Sequence, residues 1–83
     1  MKIGIVILNW NGLDLLRKYL NEIILNSDNS TIYIIDNNSS DESVLYVRNN
    51  YTEVKVISLD KNYGFAEGYN IGLKEVEEEY VCI

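Results

Sequence analysis

Blocks of apolar residues alternate with mixed blocks along the chain, and this pattern predicts strands and helices in turn. Residues 3–8 and 31–35 are nearly continuous β-branched apolar runs, which are typical of strands covered on both faces in a parallel sheet. Residues 54–59 predict a third strand, and Lys55 and Ser58 within it favour a place at the sheet edge. Residues 80–83 predict a fourth strand.

Between these strands, three stretches have apolar residues at helical spacing: 13–24, 39–50 and 65–76. Asn11 or Gly12 can cap the first helix. Ser39 and Glu42 form an S-x-x-E capping box, which predicts that the second helix begins there.

The order β-α-β-α-β-α-β predicts an α/β fold with a parallel sheet and helices on both faces. Right-handed crossovers in a doubly wound arrangement give the strand order 3-2-1-4. We therefore expect one Rossmann-like, three-layer α/β/α domain over residues 1–83. A domain this small buries only about 60–65% of its unfolded surface, so we expect marginal stability.

Three polar stretches follow the first three strands: "LNWNG", "DNNSSD" and "DKNYGFAEG". Ligands of open α/β sheets bind beyond the carboxyl ends of the strands, near the switch point, which here lies between strands 1 and 4. Asp36 ends the second strand. Its carboxylate could accept hydrogen bonds from a ligand, or it could only turn the chain by an Asx-type bond. The sequence leaves both interpretations open.

Other residues of these stretches also have two interpretations. Trp10 could stack on a base or a sugar, or it could cover the end of the core. The residues with a structural interpretation as turn and cap residues are Asn37, Asn38, Ser39 and Asp41, and Asn37 and Ser39 fit it better than ligand contacts.

Three glycines recur four residues apart, at Gly64, Gly68 and Gly72. Gly68 and Gly72 suit close packing of the third helix against the sheet. Gly64 stands at the helix entrance, where free N–H groups can meet an anion, so it is the better ligand candidate.

Composition and charge narrow the possible partners. The net charge is −6 without a Lys/Arg cluster, which argues against nucleic acid and anionic membranes. No apolar stretch approaches the ~20 residues of a membrane span. A single cysteine, Cys82, fits a reducing compartment, so we expect a cytoplasmic location. The sequence has no histidine, G-x-G-x-x-G or P-loop motif, which excludes zinc sites, Ser-His or Cys-His catalysis and the common dinucleotide fingerprint.

The stretches "IVILNWNG", "IYIIDNNSSDES" and "NYGFAEGYNIGL" together resemble the start of family 2 glycosyltransferases of the GT-A fold, especially the rhamnosyltransferase-like branch. The resemblance covers nearly the whole chain. It implies a nucleotide-diphospho-sugar partner, UDP- or dTDP-linked, with Asp36 bonding the pyrimidine ring. The nucleotide-binding residues that it implies are Leu8, Asn9, Trp10, Asp36, Asn38, Asn62 and Gly64. Many relatives have a basic residue where this chain has Tyr69.

The resemblance further implies that Mg²⁺ or Mn²⁺ is bound by a D-x-D-type motif after strand 4, and that the catalytic base comes later still. The chain ends at "EEYVCI", so we assign it no catalytic residue, metal ligand or cofactor. We expect a truncated, inactive N-terminal domain that forms a homodimer through its strand-4 edge. The alternatives are a non-catalytic Rossmann-like nucleotide-binding module or a self-association module.

Overall fold

The computed structural model describes residues 3–78 and 80–82. Strands and helices alternate in the predicted order: β1 (Ile3–Asn9), α1 (Leu13–Leu25), β2 (Ser30–Asp36), α2 (Ser43–Asn50), β3 (Lys55–Ser58), α3 (Phe65–Leu73) and β4 (Tyr80–Cys82). The strand predicted for residues 80–83 is confirmed over its first three residues. Residue 83 lies outside the described part.

The strands pair in parallel in the order β3-β2-β1-β4, which confirms the predicted order and the edge position of β3. β1 and β2 pair along their whole length, from Ile3 opposite Ser30 to Asn9 opposite Asp36. This register places Asn9 beside Asp36 at the carboxyl edge of the sheet. β4 pairs with the first three residues of β1, so the carboxyl half of β1 extends beyond the described part of β4.

Two apolar cores fill the spaces on the two faces of the sheet. The core beneath α1 and α2 contains Leu16, Leu20, Ile32, Ile34, Val47 and Val54. The core beneath α3 contains Val6, Tyr33, Ile35, Ile57 and Leu59. Successive residues of β2 contribute alternately to the two cores, because strand side chains point to opposite faces. The three-layer arrangement predicted from the apolar runs is therefore confirmed.

The second helix begins four residues later than predicted. α2 begins at Ser43, and Glu42 takes the N-cap position without a side-chain cap bond, so the predicted capping box is wrong. In a capping box the Ser39 hydroxyl oxygen would accept a helix N–H. It instead accepts the Asn11 N–H at 2.8 Å, while its O–H donates to Asp36 Oδ1 at 2.7 Å. Asp41 replaces it at the helix by accepting the Ser43 N–H at 3.0 Å.

Two glycines let α3 lie close to the sheet, as predicted. A Cβ built at Gly72 would lie 2.5 Å from Ile35 Cγ1 and would also clash with Cδ1. A Cβ at Gly68 would lie 3.0 Å from Asn37 Nδ2 and 3.3 Å from Leu8 Cδ1. Packing at core density leaves no room for either added group.

We predict that Gly72→Ala lowers the free energy of unfolding by about 1–3 kcal/mol, because the added methyl group must displace Ile35. Urea unfolding followed by circular dichroism measures the difference. Asn70→Ala, at an exposed position of the same helix, is the matched control and should change stability by less than about 0.5 kcal/mol. Equal stability of Gly72→Ala and wild type would contradict the close contact. Ile35→Val in the Gly72→Ala background should restore part of the loss, since it shortens the clashing side chain.

Candidate functional site

The buried polar residues of the described chain lie together where β1 and β2 end. They are Asn9, Asp36, Asn37 and Ser43, each at most 5% exposed. Burying such groups costs free energy unless they are hydrogen-bonded. Within the described residues, every buried side-chain nitrogen and oxygen has a partner. The polar cluster is therefore an ordered part of the fold whose hydrogen bonds are satisfied before any ligand arrives.

The Asp36 carboxylate is the centre of this cluster and is 3% exposed. Its Oδ1 accepts hydrogen bonds from Asn9 Nδ2 at 2.9 Å and from the Ser39 hydroxyl at 2.7 Å. Its Oδ2 accepts the Ser39 N–H at 2.9 Å. The bond to the Ser39 N–H confirms that Asp36 turns the chain, and a ligand contact of the same carboxylate stays a prediction. Because a carboxylate can accept about four hydrogen bonds, one acceptor position remains, and it is on Oδ2.

The Asn9 side chain is buried and orients the Asp36 carboxylate by a hydrogen bond. Its Nδ2 group donates to Asp36 Oδ1 and to the Ser43 hydroxyl, both at 2.9 Å. A Cβ at Gly12 would lie 2.5 Å from Asn9 Oδ1, so the glycine makes room for this amide. Both amide protons of Asn9 are engaged within the protein, which suits a residue that orients the carboxylate.

Side chains also join the loop after β1 to the loop after β2. Asn11 Oδ1 accepts the N–H groups of Ser40 at 2.7 Å and Asp41 at 3.1 Å. In return, the Ser39 hydroxyl oxygen accepts the Asn11 N–H at 2.8 Å. Asn11 adopts a left-handed conformation with φ 50°, which asparagine tolerates better than most residues. The two loops are therefore fixed relative to each other by reciprocal bonds.

Asp41 caps two helices at once. One oxygen accepts the N–H and the hydroxyl of Ser43, the first residue of α2. The other accepts the N–H of Leu13, the first residue of α1, at 3.2 Å. Burial on its own would raise the pKa of Asp41, but the hydrogen bonds from Ser43 and Leu13 together lower it below the ordinary value of 3.8. The helix dipoles favour a negative charge at the same place.

The third loop, between β3 and α3, is attached to β2 through Asn37. Asn37 Nδ2 donates to the Gly64 carbonyl and Asn37 Oδ1 accepts the Tyr63 N–H, both at 2.9 Å. Asn62 Oδ1 accepts the Gly64 N–H at 2.8 Å. Gly64 has φ 81° and ψ −174°, a conformation that costs other residues about 1–3 kcal/mol. The backbone conformation at position 64 therefore requires glycine, independently of any ligand contact.

Aromatic side chains line the same edge of the sheet. Trp10 is 57% exposed, so the hypothesis that it covers the core is wrong, and its ring is accessible for stacking. Phe65 is also exposed and packs edge-to-face on Tyr69, with ring centroids 5.1 Å apart. The Tyr69 hydroxyl accepts the Leu8 N–H at 3.3 Å. This bond attaches α3 to the carboxyl half of β1.

The structure gathers the predicted residues at one edge but gives them different positions. Asn9 and Asp36 are buried and bonded to each other. Asn38, with φ 61°, and Asn62 are exposed on neighbouring loops, and Leu8 is partly buried in the core beneath α3. Their contacts with a nucleotide stay predictions. Ser43 was not among the predicted residues, although its D-x-S spacing from Asp41 was an available signal.

Two negative findings concern the part of the chain that the structure describes. Residues 3–78 and 80–82 contain no group of three or more His, Cys, Asp or Glu side chains that could hold a metal ion. The Mg²⁺ or Mn²⁺ implied by the resemblance thus has no fitting ligand set among them. No helix within these residues has both the length and the apolar character needed to cross a bilayer.

Comparison with known proteins identifies the family. The family model of glycosyl transferase family 2 matches residues 4–83. The chain belongs to glycosyl transferase family 2. The rhamnosyltransferase-like branch stays a prediction. No curated protein matches the chain significantly by sequence.

The fold of this family 2 chain is similar to that of a solved GT-A glycosyltransferase. The mannosyltransferase PcManGT from Pyrobaculum calidifontis, solved in complex with GDP-Man and Mn²⁺, superposes with a TM-score of 0.78 at 18% sequence identity. The match covers 95% of this chain and 25% of that one. The chain thus spans about a quarter of the length of this structure. At such low identity the likeness establishes the fold alone.

We predict that Asp41→Ala lowers the free energy of unfolding at pH 7 by roughly 1–2 kcal/mol, the range for losing a helix cap. Thermal unfolding measured by circular dichroism checks this. Asp28→Ala, in the exposed α1–β2 connection, is the matched control and should unfold like wild type. A loss of similar size in both variants would show that the change in net charge, and not capping, is responsible.

The same pair of proteins should show a pH dependence. Because the folded-state pKa of Asp41 is lowered, its stabilising contribution is present above the pKa of the unfolded chain. It is lost as pH falls through the lower, folded-state pKa. The stability difference between wild type and Asp41→Ala should therefore shrink on acidification below the ordinary value of 3.8. A difference that stays constant down to pH 2.5 would contradict the assignment.

Proposed function

We propose that residues 1–83 form one domain that is the nucleotide-sugar-binding part of a family 2 glycosyltransferase. The observation that carries the proposal is the buried Asp36 carboxylate, which keeps one acceptor position at the carboxyl edge of the sheet. Family membership and the fold shared with a transferase solved with GDP-Man support it. Ligands of open parallel sheets bind at this edge.

The remaining acceptor position favours a base with one ring N–H donor. Guanine presents two adjacent donors, N1–H and the N2 amino group, and pairs best with both oxygens of a carboxylate. Asp36 Oδ1 already accepts two hydrogen bonds, which leaves Oδ2 for a single bond. Uracil and thymine present one N3–H. We therefore infer that the donor is UDP- or dTDP-linked, which would distinguish this chain from the GDP-Man-bound neighbour.

The other predicted residues take complementary parts in this proposal. Trp10 is accessible enough to stack on the base or the sugar. Leu8 contributes the apolar side of the pocket, and Asn38, Asn62 and Gly64 border the nucleotide from the two neighbouring loops. Asn9, whose amide protons are occupied within the protein, orients Asp36.

Glycosyl transfer also needs a cation at the leaving diphosphate and a base for the acceptor hydroxyl. No described group of side chains fits a metal ion, and the net charge of −6 opposes diphosphate binding. We therefore expect the 83 residues to bind a donor nucleotide without transferring its sugar. Release of UDP or dTDP from the nucleotide sugar by the purified chain, with Mg²⁺ or Mn²⁺ and an acceptor, would contradict this expectation.

We predict that UDP or dTDP binds wild type more tightly than GDP does, and that Asp36→Asn weakens this binding by about 1.5–3 kcal/mol, as expected for a lost charged hydrogen bond. Calorimetric titration of each nucleotide measures both effects. The matched control is Asp28→Asn, which changes an exposed carboxylate in the α1–β2 connection, away from the carboxyl edge of the sheet. It should leave the affinity for UDP unchanged.

Equal affinities of wild type and Asp36→Asn would contradict base recognition by Asp36. Tighter binding of GDP than of UDP would contradict the inferred base while leaving the nucleotide site in place. No binding of any nucleotide would favour the alternative of a self-association module.

Self-association through β4 and a cytoplasmic location are further parts of the proposal. Within the described residues, β4 is the last strand of the sheet and pairs with β1 alone. Val81 on this strand is an exposed apolar residue, and such an edge can pair with a second copy. We expect sedimentation equilibrium at micromolar concentration to give a dimer mass. A monomer mass, or a dimer unchanged by Val81→Lys, would contradict pairing through this edge.

A further inference from the structure

Asn37 directly follows Asp36, and its amide side chain joins two loops of the candidate site. It is 2% exposed. Its Nδ2 group donates to the carbonyl oxygen of Gly64 at 2.9 Å, and its Oδ1 accepts the N–H of Tyr63 at 2.9 Å. Both ends of the amide therefore contact the main chain of the loop that leads from β3 into α3.

The arrangement needs a side chain with one donor and one acceptor. An amide provides both, whereas a carboxylate has no donor for the Gly64 carbonyl. A Cβ at Gly68 would lie 3.0 Å from Asn37 Nδ2, so the glycine allows α3 to come close to this amide. Because Asn37 is buried, losing either hydrogen bond would leave an unpaired polar group away from water, which is costly.

We propose that Asn37 is a positioning residue, which fixes residues 62–64 relative to the Asp36 carboxylate so that both sides of the nucleotide site are preformed. This inference rests on the proposed function. Both ends of the Asn37 amide are bonded to the main chain of the loop, so this side chain acts through the loop. A loop that is already ordered spares the ligand the conformational entropy of ordering it.

Asn37→Asp tests the proposal with almost no change of shape. At pH 8 the new carboxylate should repel the Gly64 carbonyl and release the loop. Burial and this carbonyl raise the pKa of the introduced carboxyl above the ordinary value of about 3.9. Once protonated, the carboxyl can donate to Gly64 and accept from Tyr63, as the amide does. The defect should therefore be reversed as pH falls.

The experiment compares wild type and variant at pH 8 and pH 5. UDP affinity is measured by calorimetry, and the hydrogen exchange of the Tyr63 and Gly64 amides by NMR. We expect roughly tenfold weaker binding and faster exchange in the variant at pH 8. Both ratios to wild type should approach one at pH 5. Because the variant is compared with wild type at the same pH, the titration of groups that both proteins share cancels in each ratio. Asn49→Asp, on the exposed side of α2, should match wild type at both pH values.

Three outcomes would overturn the inference. Wild-type exchange of the Tyr63 and Gly64 amides in the variant at pH 8 would show that Asn37 does not hold the loop. Faster exchange with unchanged UDP affinity would show that the loop does not set the affinity. An equal loss of affinity at both pH values with normal exchange would indicate a direct ligand contact.

Failure of the proposed function looks different from these outcomes. If wild type binds no UDP, dTDP or GDP, the proposed function is contradicted. Amide exchange then decides the inference by itself. If the Tyr63 and Gly64 amides exchange faster in Asn37→Asp than in wild type at pH 8 and return to the wild-type rate at pH 5, the result supports positioning of the loop by Asn37. If they exchange at the wild-type rate at pH 8, the inference is overturned.

Discussion

The hydrogen bond from Asn9 to Asp36 joins the carboxyl ends of the two central strands, and the candidate site depends on it. A carboxylate removed from water needs donors within the protein. The parallel register of β1 and β2 places Asn9 opposite Asp36, so the sheet itself supplies the first donor at 2.9 Å. A register shift of one residue would turn Asn9 to the other face of the sheet. The chemistry of the site is thus tied to the same strand pairing that forms the two apolar cores.

The loops beyond the strands are ordered mainly by side chains that bond main-chain groups. Asn11 and Asn37 each bridge to a different loop, and Asp41 bonds the first N–H of two helices. Such bonds fix the loops through the chain's own side chains, and within the described residues the buried polar atoms are all satisfied. The edge of the sheet is therefore a rigid surface onto which exposed groups such as Trp10 can be placed.

The sequence predicts the fold well because its signals are local. Continuous apolar runs identify buried strands, helical spacing identifies the helices, and right-handed crossovers then give the strand order. The predicted capping box failed because the Ser39 hydroxyl oxygen accepts the N–H of Asn11, 28 positions away in the loop after β1. The inward orientation of Asn9 and the bridge made by Asn37 could not be predicted. They join residues 27 positions apart, and sequence spacing does not reveal such pairs until the strand register is known.

Under the proposed function, charge separates base recognition from diphosphate neutralisation. The described edge of the sheet carries acidic side chains at Asp36, Asp41 and Asp60, and the nearby Lys61 ammonium lies 5.0 Å from the centroid of the Tyr63 ring. Acceptors and an accessible aromatic ring suit a base with an N–H donor, whereas two phosphate groups need cations. Hydrogen bonds that are satisfied within the protein fix this edge of the sheet, but they add no positive charge. In the proposed function, these described residues would therefore select the base, and cations from outside them would neutralise the phosphates.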